Sequence, residues 1–177
     1  VRDPLLEFLP ELQWVENAAL RDKVAAVWRE ALRRGGWTAE DVTRLPFVLD
    51  HGRRNPPSLL EHCRGVVHTC RAMSAALVEI YGDRAAIGQD VLLAGALLHD
   101  VGKLLEFRES HGTFTASRAG RLLPHPLLGA SLCLELGLPE EVVQLVAVHA
   151  DGGLQTTGSP EALLLHLADR ANLETLR

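Results

Sequence analysis

Cysteine is scarce and odd in number. Cys63, Cys70 and Cys133 are the full complement and none pairs in a CxxC spacing, which excludes a disulfide framework and a thiolate zinc knuckle. Cys63 and Cys70 lie seven apart on one helix, where core packing is the expected role. A reducing, cytoplasmic location is therefore expected, and no signal-peptide pattern opens the sequence. No apolar run approaches the ~20 residues that cross a bilayer, so no membrane partner is expected. Basic residues are also thin. The net charge is -5 and Lys and Arg are scattered, which argues against a broad nucleic-acid surface. A single nucleotide in a local basic pocket remains compatible. Sustained period-2 alternation is missing as well, leaving little basis for a sheet.

What is present is apolar residue at helical spacing. With 47% of 177 residues hydrophobic, the chain can bury one substantial core, and nothing suggests two complete domains. The expected fold is all-α, a single helical bundle. Residues 1–57 form an N-terminal helical extension and linker, and residues 58–177 the core domain.

Leu20, Val24, Val27 and Ala31 mark a helix face between a cap at Asn17 and a stop at Gly35-Gly36. A short helix starts near Thr38. The stretch from His51 to Pro57, with Arg53 and Arg54, reads as the linker. Ser58 and Glu61 make a capping box for a helix running to Tyr81 and stopping at Gly82. The next helix, Gln89 to Asp100, is apolar nearly all round and should be central, with Gly102 ending it. Residues 106–124 lack periodicity, which predicts a mobile loop able to cover a site. Pro126, Pro139 and Pro160 open three further helices, the second ending around His149 before Gly152-Gly153.

His99-Asp100-Val101-Gly102-Lys103 follows the apolar run Val91 to Leu98. An unpaired carboxylate delivered into such a core would cost several kcal/mol, so a cation is expected there. Four more ligand types occur in order: His62, His125, His149 and Asp169. Imidazole and carboxylate without thiolate suit manganese, iron, nickel or zinc. Six such groups exceed the four of a structural zinc site, so one or two divalent ions are expected, with magnesium also possible. Asp100 is the natural bridge between two ions, since only a carboxylate spans both comfortably.

The series His62, His99-Asp100, Asp169 resembles the HD superfamily of metal-dependent phosphohydrolases, over roughly residues 58–177. The added His125 and His149 resemble its two-metal branch, which includes HD-GYP-type phosphodiesterases, exoribonucleases with an HD domain and oxygenases of the myo-inositol oxygenase type. That branch often carries paired histidines where this chain has His149-Ala150. The resemblance implies His62 rather than His68 as ligand, and it casts Lys103 of the HDxGK pattern as a phosphate contact. Asp100 and Lys103 are thus the candidate catalytic residues. Arg53, Arg54, Arg118 and Arg121 could clamp a phosphate. His166 shares a face with Asp169 and could orient it, while His51 and His111 read as surface residues.

The activity implied is metal-assisted hydrolysis of a phosphate ester, in a nucleotide, cyclic nucleotide or short oligonucleotide. No Gly-Tyr-Pro follows His149. Two alternatives use the same ligands: a mixed-valence di-iron oxygenase acting on a small polyol or organophosphonate, and a non-catalytic metal-containing signalling or ligand-binding domain. The partner is then a small-molecule phosphate ester or nucleotide, and a homo-oligomer is possible.

Overall fold

Helices α1 (Pro4–Phe8), α2 (Ala18–Gly35) and α3 (Leu59–Tyr81) precede the central helix α4 (Gln89–Leu98) in the computed structural model of the chain. A turn then leads to the short α5 (Lys103–Glu106), a hairpin of β1 (Phe107–Ser110) and β2 (Thr113–Ala116), and helices α6 (His125–Glu135), α7 (Glu140–Val148) and α8 (Pro160–Thr175). The structure describes residues 4–38, 40–49, 57–150 and 158–175. His51, Arg53, Arg54 and Gly152-Gly153 lie outside the described residues, as does most of the expected linker.

The all-α architecture holds. Helix α4 packs against α2, α3, α7 and α8, and Leu92 to Leu98 are all buried, so its uniform apolarity is what a central helix requires. Asn17 caps α2 through Leu20 N, and Gly36 ends it in the left-handed region at φ 74°, a conformation that costs glycine least. The Ser58–Glu61 capping box starts α3 as expected. The short helix near Thr38 is a single 3-10 turn at Asp41–Thr43.

The N-terminal residues share the core. Leu9, Leu12, Val24, Val27 and Trp28 belong to the same buried cluster as α4. Trp28 Nε1 donates to Leu97 O at 2.9 Å and Trp37 Nε1 to Leu104 O at 2.8 Å. Two carbonyls flanking the turn after α4 are thereby satisfied by indole donors.

Two expectations differ from the structure. The 106–124 segment holds a hairpin, with Phe107 opposite Ala116 and Ser110 opposite Thr113. Its turn puts both His111 (φ 51°) and Gly112 (φ 77°) at positive φ, as a type I′ turn demands. Each strand is only four residues long, too short for alternation to stand out. Gly102 does not terminate α4 either: the helix ends at Leu98, and Gly102 has φ -62°. A Cβ there would lie 2.0 Å from His125 O and 2.7 Å from Gly129 N. Glycine is needed because the backbone of α6 comes that close. This contact brings His125 to the turn that bears Asp100.

Among the described residues, no helix is long and apolar enough to cross a membrane.

Candidate metal centre

Five elements deliver side chains to one point. His62 comes from the first turns of α3, His99 and Asp100 from the turn after α4, His125 from the start of α6, His149 from the end of α7 and Asp169 from the middle of α8. His99 is 0% and Asp100 1% exposed, with His62 and His149 scarcely more so.

Asp100 divides the cluster. Its Oδ2 lies 3.4 Å from both His62 Nε2 and His99 Nε2, while Oδ1 lies 3.1 Å from His125 Nε2 and 3.6 Å from His149 Nε2. Among the described residues, two groups close enough to hold an ion follow, His62/His99/Asp100 and Asp100/His125/His149, sharing only Asp100. Asp169 Oδ1 joins the first, 3.0 Å from His62 Nε2 and 3.9 Å from His99 Nε2.

The outer ring nitrogens show which atoms face the centre with lone pairs. His99 Nδ1 donates to Ala96 O and His149 Nδ1 to Val146 O, each at 2.8 Å. A carbonyl only accepts, so the proton is on Nδ1 and, in the neutral ring, Nε2 is left with its lone pair. His125 Nδ1 is 3.2 Å from Glu106 Oε2, the same arrangement with a carboxylate. Yet His125 Nε2 is 3.3 Å from His149 Nε2, and His99 Nε2 is 3.4 Å from His62 Nε2. Converging lone pairs and carboxylate oxygens repel one another unless a cation or protons lie between them, and all-nitrogen and oxygen donors suit divalent transition metals. The residues present fit such ions.

The ionisation of these groups reflects the same crowding. Burial disfavours the charged forms, but the Lys103 ammonium and the neighbouring imidazoles outweigh it and hold Asp100 well below the usual carboxylate range. Asp169 is lowered too, burial being outweighed chiefly by the hydrogen bond from His62. His99 is raised despite burial by the adjacent Asp100 charge, and His125 likewise by Asp100 and Glu106. His149 is lowered, because burial and its cationic neighbours prevail.

Lys103, 7% exposed, reaches back to place Nζ 2.7 Å from Asp100 Oδ2. His166 does not meet Asp169 as expected: its Nδ1 donates to His149 O at 3.0 Å, so it secures the end of α7. His68 is half-exposed and pairs with Glu11, away from the cluster. Arg118 and Arg121 are exposed and do not line the cavity over the centre, whereas Arg170 does. That cavity, about 170 Å³, is also walled by Phe47, Val48, Ala150 and Leu173.

Glu106 and Phe47 were not among the residues expected here. Glu106 had a readable signal, one turn beyond Lys103 on the same segment. Phe47 had none, since only tertiary folding brings it to His62.

The HD domain model matches residues 59–172. The chain belongs to the HD domain family. The chain is also 31% identical over 137 residues to the dihydroneopterin 2',3'-cyclic phosphate phosphodiesterase of Methanocaldococcus jannaschii, an alignment covering 76% of the chain and 54% of that protein. The chain thus spans about half the length of this curated relative. No solved structure matches it.

Proposed function

We propose that this HD domain is a metal-dependent phosphohydrolase that opens a small phosphate diester, with a cyclic phosphate on a vicinal diol as the substrate class. The observation that carries the reading is the division of the Asp100 carboxylate between two histidine pairs. Such an arrangement exceeds what one structural ion needs. In this reading His62, His99, Asp100 and Asp169 would hold one ion, and Asp100, His125 and His149 the other. When bound, the two ions would supply hydroxide near neutral pH and polarise the phosphoryl group.

The protein groups do the rest. Asp100 fixes the spacing of the two ligand sets from a buried turn. Glu106 and the Ala96 and Val146 carbonyls keep three imidazoles turned inward, an orientation that otherwise has to be established during binding. Lys103 balances the Asp100 charge and stands where a phosphoryl oxygen gains a cationic partner. Arg170 presents a second cation at the cavity wall. The reaction consumes one water, breaks one P–O ester bond and leaves a phosphomonoester beside a free hydroxyl.

Two features support a small cyclic diester over a polymer. The cavity is small and mostly apolar outside its ligands, and the relative from Methanocaldococcus jannaschii is named for a 2',3'-cyclic phosphate. The test is to strip the protein with chelator, reload it with Mn2+, and assay 2',3'-cyclic nucleotides and bis(p-nitrophenyl) phosphate. Turnover with Mn2+, lost on chelation and in Asp100→Asn, is expected. A chain that hydrolyses neither diester with any divalent ion, or that consumes oxygen only when loaded with iron, would overturn the proposal.

A further inference from the structure

Three of the four inward-facing imidazoles are anchored at Nδ1, by Ala96 O, Val146 O and Glu106. His62 is the exception. Its Nδ1 is buried and has no hydrogen-bond partner among the described residues. Beyond the Nε2 contact to Asp169, the ring meets an aromatic face: Phe47 stacks on it, centroids 4.7 Å apart and planes inclined by 25°.

Phe47 is itself firmly placed. It is 3% exposed, and its strand-like segment is tied to the start of α3. Leu59 N donates to Leu45 O at 2.6 Å, Phe47 N to Pro57 O at 3.4 Å, and Pro46 bridges Ser58 in antiparallel fashion. These bonds end one turn before His62, so the stacking ring and the stacked ring are referenced to the same helix cap. The same phenyl ring has the Lys103 ammonium 5.6 Å from its centroid, a distance at which a cation is attracted to the π face.

We propose that Phe47 is the positioning residue for His62, fixing by ring stacking the imidazole orientation that hydrogen bonds fix for the other three ligands. This rests on the metal-binding reading above and extends it to the region before the HD domain. The consequence is local. Loss of the aromatic face should weaken the ion held by His62, His99, Asp100 and Asp169, and spare the ion held by Asp100, His125 and His149. Loss of a group that orients a metal-binding histidine commonly lowers affinity ~10–100-fold.

The experiment is a Mn2+ titration of the chelator-stripped protein, following free Mn2+ by electron paramagnetic resonance, for the native chain, Phe47→Leu, Phe47→Met and Phe47→Tyr. A His125→Ala background identifies which step belongs to which site. Phe47→Leu and Phe47→Met should weaken only the step that survives in His125→Ala, by about tenfold or more, and Phe47→Tyr should restore it. Where Phe47→Leu fails to fold, the better-filling Phe47→Met makes the comparison, with circular dichroism confirming its fold. In the metal-free native protein the His62 ring protons should also be shifted upfield by the phenyl ring current, and this shift should vanish without the aromatic ring.

Unchanged affinity in Phe47→Met, equal weakening of both steps, or equal weakening in Phe47→Tyr each overturns the inference while leaving the phosphohydrolase proposal standing. A native chain that binds two Mn2+ with the expected Phe47 dependence but hydrolyses no diester supports the inference and defeats the proposed activity. A native chain that takes up no Mn2+ overturns both.

Discussion

The Lys103 ammonium lies 2.7 Å from Asp100 Oδ2, with both side chains nearly excluded from water. Removing one partner of such a pair leaves a buried charge uncompensated, at a cost of about 3–5 kcal/mol. When cations occupy the centre, Asp100 has other partners. Lys103→Met should therefore destabilise the chelator-stripped protein strongly and the Mn2+-loaded protein much less, as thermal melts with and without Mn2+ would read. Turnover of a cyclic diester should fall about 100–1000-fold, the scale for losing one donor to developing transition-state charge. Metal stoichiometry should not change. Native-like turnover in this variant would remove Lys103 from the chemistry.

Glu106 sets up the counterpart of the Phe47 test. Its carboxylate lies 3.2 Å from His125 Nδ1, and its own carbonyl is held by Ser117 N at 2.7 Å. Glu106→Ala should weaken the ion of the Asp100/His125/His149 set by ~10–100-fold and leave the His62/His99 set nearly untouched. Stepwise Mn2+ titration separates the two. A matched fall in both steps would show that Glu106 acts on the fold and not on His125.

The motif and helix starts were readable because their causes are local. Ser58 and Glu61 satisfy amides within their own turn, and the apolar run before His99 forces the pair into the interior. Asp169 and His149 were identifiable by residue type and order, though nothing local shows that α8 brings Asp169 to 3.0 Å from His62. The hairpin could have been read from Ser110-His111-Gly112-Thr113, a two-residue turn flanked by β-compatible residues. Helical register places His166 on the face of Asp169, yet its ring turns to the His149 carbonyl. Helical spacing gives a face and does not give a neighbour from another helix. Phe47 and Arg170 reach the cavity through tertiary packing alone, and no spacing rule encodes that.

Gly102 offers a steric test of how α6 is held to the metal-bearing turn. Its φ of -62° suits alanine, so backbone strain does not enter. The added Cβ would meet His125 O at 2.0 Å and Gly129 N at 2.7 Å, and backbone atoms yield poorly. Gly102→Ala should cost about 1–3 kcal/mol or more through overpacking and should weaken metal binding through His125. Gly158→Ala is the control, since none of the described residues lies within 4 Å of a Cβ there. Denaturant midpoints measure both. A Gly102→Ala variant as stable as Gly158→Ala would mean that α6 can shift at little cost.

Away from the centre, Glu11 makes a prediction about acid stability. The residue is 2% exposed. Burial alone would raise its pKa, but the hydrogen bond from Arg64 Nε at 2.8 Å and the His68 Nε2 contact at 3.0 Å outweigh that, so the carboxyl sits below its ordinary 4.5. A carboxyl lowered by folding adds stability that is fully present above its unfolded pKa and is lost as pH falls through the folded value, because the unfolded chain then binds more protons. Glu11→Gln lacks this contribution. Its deficit relative to the native chain should be constant from pH 7 to about 5 and should shrink as pH drops below 4.5. Urea unfolding across pH 3 to 7 reads the difference directly. A deficit that stays constant down to pH 3 would mean that Glu11 contributes shape rather than charge to the contact between the Pro10–Trp14 turn and α3.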